Sequence, residues 1–125
     1  MNKINAGIKQ GLVIFVIIAA TAVLSSCEKY KFSPPEVDPN APWSLSTDIQ
    51  PIFNAKCISC HGGSQQPDLR EGRSFESLTK RGYVTKPAES SKLFTTLSSG
   101  SHESRTTAVE KLKIRYWIEQ GAKNN

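Results

Sequence analysis

Five consecutive residues, Cys57-Ile58-Ser59-Cys60-His61, constrain this chain more than any other stretch. Two thiols lie two residues apart, and an imidazole follows the second directly. On one helical turn, positions 57, 60 and 61 share a face, so their three donors meet the same object. Three chemistries use donors arranged in this way: half of a structural zinc site, a dithiol redox pair, and a covalent porphyrin. Zinc needs a second pair of ligands, but no second Cys pair follows and the only other histidine is His102. A thioredoxin-like pair needs a preceding strand inside a βαβ unit, and no such pattern surrounds residues 57–60. The spacing points instead to one haem c. The thiols of Cys57 and Cys60 add to the two vinyl groups, and the imidazole of His61 comes under the iron as proximal ligand.

The start of the chain sets a compartment. Lys3 and Lys9 precede an apolar run from Gly11 to Leu24, too short for a spanning helix and closed by small residues, which is the layout of an export signal. Leu24-Ser25-Ser26-Cys27 resembles a bacterial lipobox, so residues 1–26 are expected to be a lipoprotein signal peptide and Cys27 the lipidated residue. The competing reading of residues 1–26 is an uncleaved signal anchor. Either way the rest of the chain is tethered outside the cytoplasm. With Cys27 lipidated and Cys57 and Cys60 on haem, all 3 cysteines are used and no disulfide remains to be drawn.

Residues 27–42 are expected to form a tether, because prolines at 34, 35, 39 and 42 remove backbone donors and favour extended chain. Fully extended at ~3.1 Å per residue, Glu28 to Pro42 reaches roughly 45 Å. Lys3 and Lys9 are the only charged residues before Cys27, so the remainder carries 14 basic and 11 acidic side chains, a net charge of +3. These charges are interspersed. No cationic run or nucleic-acid motif appears, which excludes a nucleic-acid partner.

The folded domain is expected over residues 43–125. Ser46, Thr47 and Asp48 are cap-type residues, Pro51 suits a first helical turn, and Ile49, Ile52 and Phe53 give an apolar face. A helix is thus predicted from about Asp48 to Cys60, broken at Gly62-Gly63. A loop follows at residues 64–69. Short helices are predicted around Ser74–Leu78, with Phe75 and Leu78 inward, and from Ser90 or Ser91, carrying Leu93, Phe94 and Leu97 and ended by Gly100. A Thr107-x-x-Glu110 capping box and a terminal Gly121 bracket the last helix, with Val109, Leu112, Tyr116, Trp117 and Ile118 as its apolar set. About 80 residues with few large apolar groups make a marginal core without a porphyrin at its centre.

Three stretches carry a family resemblance that spans about Ile49 to Ala122. Ile49-Gln50-Pro51-Ile52-Phe53 before the Cys-x-x-Cys-His motif, the segment Pro87 to Leu93, and Trp117-Ile118-Glu119-Gln120-Gly121-Ala122 at the end are similar to small planctomycete-type cytochrome c domains. The resemblance implies an all-α fold, a small cytochrome c-like helical domain wrapped around one covalent haem. It also implies haem attachment on the outer side of the inner membrane, and a proline carbonyl after the motif, Pro67 being nearest, that accepts a hydrogen bond from the proximal imidazole. The expected role is a monohaem electron carrier at the bacterial cell envelope, lipid-anchored on the periplasmic side and serving redox protein partners. Lys56, Arg70, Arg73, Lys80 and Arg81 are candidates for steering acidic partners along the exposed edge.

The chain departs from the family at one place. Members usually supply a distal Met shortly before the last helix, whereas the only methionine here is Met1, and Arg105-Thr106-Thr107 stands where Met-Pro would fall. His102, in the same loop, is the candidate distal ligand. Lys92, Lys111 and Lys113 are alternatives that require deprotonation, and an open iron is a third outcome. An open iron would suit a haem-based gas-ligand binder or sensor, and a stable partner would suit an electron-relay subunit of a larger oxidoreductase. No acid/base pair, phosphate loop or nucleophile constellation suggests an enzyme.

Overall fold

The computed structural model describes residues 36–125. Residues 1–35, with the expected signal peptide, Cys27 and most of the tether, lie outside the described residues. The described chain is all-α, with no strand. Its α-helices are α1 (Gln50–Lys56), α2 (Ile58–His61), α3 (Ser74–Lys80), α4 (Lys92–Leu97) and α5 (Ala108–Glu119). A π-helical turn, Leu45–Ile49, leads into α1, and short 3-10 turns occupy Ala88–Ser90 and Gly100–Arg105. None of the described helices is long and apolar enough to cross a membrane.

The single helix expected from Asp48 to Cys60 is two. It starts earlier, because Ser44 is the N-cap: its Oγ accepts from Thr47 N–H, and Asp48 Oδ2 returns the bond by accepting from Ser44 N–H at 3.0 Å. Cys57, at φ −121°, then interrupts the regular backbone between α1 and α2. Hydrogen bonding continues through the break, with Cys57 N–H donating to Phe53 O at 2.9 Å and Cys57 O accepting from both Cys60 N–H and His61 N–H. The direction of the chain changes while the amides stay satisfied.

Five of the most deeply buried side chains, Ile49, Phe53, Leu78, Ile114 and Trp117, come from three separate stretches of chain and meet in one core. Burying each contributes roughly 1.5–3 kcal/mol, so this cluster holds the short helices that could not stand alone. On α5 the buried set is Ile114, Trp117 and Ile118, while the expected Val109, Leu112 and Tyr116 are only half-buried. The Thr107–Glu110 capping box is formed in both directions, and Gly121 takes φ +97° after the last turn. Trp117 Nε1 donates to Lys123 O at 3.0 Å, so the indole is buried with its polar handle satisfied.

Two expected caps act differently. Ser91 precedes α4, but its hydroxyl donates to Tyr83 O at 2.8 Å rather than capping the helix. Gly100 does not end α4, which stops at Leu97; at φ +64° it opens the 3-10 turn that follows. At the N-terminal edge, Gln120 of the α5 C-terminus grips the end of the Pro-rich segment. Its Nε2 donates to Pro39 O and Ala41 O, and its Oε1 accepts from Trp43 N–H.

Candidate functional site

α1 packs its Ile52 and Phe53 face into the core and so delivers Cys57 to an inner surface, with α2 carrying Cys60 and His61 one turn on. Cys57, Cys60, His61 and His102 all border one small hollow of about 60 Å3, together with Leu97 and Arg105. Neither Cys57 nor Cys60 is in a disulfide. Burial pushes the half-buried Cys57 thiol above its ordinary pKa, with the Glu110 carboxylate adding to the rise and Arg105 opposing it. Cys60 is exposed.

The His61 ring is fixed by its backbone surroundings. Its Nδ1 lies 3.0 Å from Pro67 O, and a carbonyl only accepts, so Nδ1 is the donor and Nε2 is the nitrogen left for any further partner. The loop that brings Pro67 back is pinned at both ends. Leu69 N–H donates to His61 O at 2.8 Å, and Leu69 O accepts from the buried Gln50 Nε2 at 2.8 Å. Gln50 Oε1 in turn accepts from the Ser74 hydroxyl, so every polar atom of that buried amide has a partner. Gly62 is required at the turn, because a Cβ there would sit 2.7 Å from Ile58 O.

A cavity of about 250 Å3 continues from His61. Phe53, Leu69, Leu93, Leu97 and Ile114 give it an apolar wall, while exposed Gln66, Lys92 and Thr96 form a polar rim. His102 reaches the same cavity from the 3-10 turn after α4, and its ring centroid is 6.3 Å from that of His61. Thr106 also lines it. This residue is 7% exposed, and its Oγ1 is buried with no hydrogen-bond partner. An apolar slot with ring nitrogens at one end and an orphaned hydroxyl on its wall fits a flat, largely apolar group that carries a few polar atoms.

The three lysines considered as iron ligands are engaged elsewhere. Lys92 Nζ sits 4.8 Å from the Tyr83 ring centroid, Lys113 Nζ 5.6 Å from that of Trp43, and Lys111 Nζ donates to Glu103 O at 2.8 Å. Of the basic residues expected along the edge, Lys56 borders the hollow that holds the thiols. Arg70 and Lys80 pair with Asp68 and Glu76. Arg73 and Arg81 border a separate hollow that reaches the cavity rim only at Gln66. No group of three or more His, Cys, Asp or Glu side chains is placed to hold a metal ion among the described residues, so the zinc alternative finds no closed donor set. A further hollow of about 320 Å3 beside Ser46, Glu71 and Glu76 has no cysteine or histidine in its lining.

Thr106 and Ile114 were not singled out from the sequence, although both line the cavity. A signal for Thr106 existed. It stands directly before the capping-box Thr107, a position whose side chain commonly turns toward the helix it precedes. Ile114 was hidden because the apolar residues around it spread over more than one helix face. No family model, curated protein or solved structure matches the chain. The site's own residues are therefore the basis for assigning a function.

Proposed function

We propose that this protein carries one covalent haem c on Cys57 and Cys60, with His61 as proximal ligand, and passes single electrons between redox proteins at the outer side of a bacterial membrane. The observation that supports this is the Nδ1–Pro67 O contact, which leaves Nε2 as the ring nitrogen available to an iron, beside two free thiols and an apolar cavity. When bound, the haem supplies an iron that alternates between ferric and ferrous states.

The chain's residues do the rest. Cys57 and Cys60 would hold the group through thioether bonds, each S–H adding across a vinyl group in a redox-neutral addition that would need reduced cysteines and no oxidant. The Pro67 carbonyl fixes the orientation of the His61 ring. Phe53, Leu93, Leu97 and Ile114 exclude water from one side, while the Gln66–Lys92–Thr96 rim leaves an edge near solvent, where a partner protein can exchange an electron. Cys27, lipidated, would hold the domain at the membrane.

The test is to produce the full chain in a host with haem-attachment machinery and record the alkaline pyridine spectrum of denatured protein. One covalently bound haem per chain is expected, together with a reversible one-electron titration. A Cys57→Ser/Cys60→Ser variant that kept its pigment through denaturation would overturn the assignment. In the same preparation Cys27→Ser is expected to leave the membrane fraction.

A further inference from the structure

We infer that His102 is the second axial ligand of the haem, so that two imidazoles close the iron. This rests on the haem assignment above and deepens it.

The spacing of the two rings is the first support. Two metal–nitrogen bonds of about 2.0 Å, with about 1.1 Å more from each nitrogen to its ring centroid, set imidazoles on opposite sides of one metal about 6 Å apart. The observed separation of the His61 and His102 centroids is 6.3 Å. No hydrogen bond joins the two rings, and among the described residues neither Nε2 has a partner. His61 uses Nδ1 on Pro67 O, while His102 Nδ1 has only Ser101 Oγ at 3.5 Å. Both rings border the same hollow as Cys57 and Cys60, the two residues that would hold the porphyrin.

Elimination is the second support. The chain has a single methionine, at position 1. The ammonium groups of Lys92 and Lys113 lie against aromatic rings, and that of Lys111 is spent on a carbonyl. That last bond has a further use. By holding Glu103 O, Lys111 ties α5 to the turn that carries His102, and Gly100 at φ +64° starts that turn in a backbone conformation a side chain would strain. Lys111 is thus a positioning residue for His102.

Two consequences distinguish this ligand set. Two imidazoles favour ferric iron relative to a thioether and imidazole, so the reduction potential lies below that of a Met/His centre. With both axial positions taken, small gases find no vacant site, and exchange of electrons through the edge is the chemistry left.

The deciding experiment uses full-length holoprotein in detergent, examined by optical and electron paramagnetic resonance spectroscopy, with carbon monoxide added after reduction. The native protein is expected to be low-spin in both states and spectrally unchanged by the gas. His102→Ala is expected to become high-spin when ferric, to respond to carbon monoxide on mixing, and to return to low-spin on adding imidazole. His102→Met, which keeps a ligand in place should the alanine variant fold poorly, is expected to stay low-spin with a raised potential. Native protein that takes up carbon monoxide as readily as His102→Ala, or a His102→Met potential equal to that of the native protein, would overturn the assignment. The pyridine spectrum keeps the two proposals apart. Covalent haem with an open iron defeats only the His102 ligand, whereas absence of covalent haem defeats the function itself.

Discussion

The two sides of the slot are built in opposite ways. On the His61 side, one ring is held by a chain of buried or half-buried bonds: Ser74 to Gln50, Gln50 to Leu69 O, Leu69 N–H to His61 O, and His61 Nδ1 to Pro67 O. On the His102 side, the turn Gly100–Arg105 buries no residue, and one exposed lysine–carbonyl bond ties it to α5. Local opening follows burial and bonding, so the first side belongs to the cooperative core and the second to the least stable part of the domain. If the proposed haem binds, the polypeptide would hold His61 ready and leave His102 to be fixed on binding.

Matched glycine substitutions test that contrast most severely. In Gly62→Ala the new methyl group meets Ile58 O, a backbone atom that cannot swing aside, and a loss of about 2 kcal/mol is expected, with reduced haem incorporation. In Gly100→Ala the Cβ meets open space and only the left-handed backbone is strained, costing about 1 kcal/mol. Denaturant unfolding of both variants measures the difference. Equal losses would mean that the two sides are equally rigid.

Lys111→Ala comes next. It removes the tie on the turn without touching the core, so global stability is expected to change by less than about 0.5 kcal/mol. Trypsin cleavage after exposed Arg105 should nevertheless accelerate relative to cleavage after Arg73. A variant cut at the native rate would show that the turn is held by something other than Lys111.

The smallest expected effect belongs to the outer wall of the His61 loop. The Arg70 guanidinium bonded to Asp68 holds that carboxyl down to about 2 from its ordinary 3.8. A pKa lowered by folding adds stability that is present above 3.8 and is lost as pH falls through about 2. Acid unfolding should therefore lose a small component in that window which is missing in Asp68→Asn. The pair is solvent-exposed, so the component should shrink further in salt.

Much of this was legible in sequence where the signal was local. The capping box at Thr107 and Glu110 and the terminal Gly121 are short-range devices, and each needs only neighbouring residues to form. The helix starts before the expected cap-type residues Ser46, Thr47 and Asp48, because a π-helical turn lets Ser44 cap it and bond to Asp48. The break at Cys57 was not foreseen, since residues 48–60 contain no glycine and their one proline, Pro51, suits a helix start. Ligand geometry was the least legible of all. His102 stands out in sequence because other donors are scarce and because it lies in the loop before the last helix. Its distance from His61 depends on Gly100, on Lys111, and on how α4 and α5 pack, which no spacing rule encodes.

The grip of Gln120 on Pro39 O and Ala41 O changes the mechanics of the proposed lipid anchor. With Pro39 and Ala41 fastened to the end of α5, that part of the Pro-rich segment would add nothing to the reach of an anchor at Cys27. For the proposed anchored carrier, a shorter reach would confine the domain to a thinner layer over the membrane and raise its effective concentration toward a partner in the same bilayer. Breaking that clasp would then lengthen the reach and dilute the encounter, with the Trp43 Nε1 bond to Asp38 O as the remaining tie.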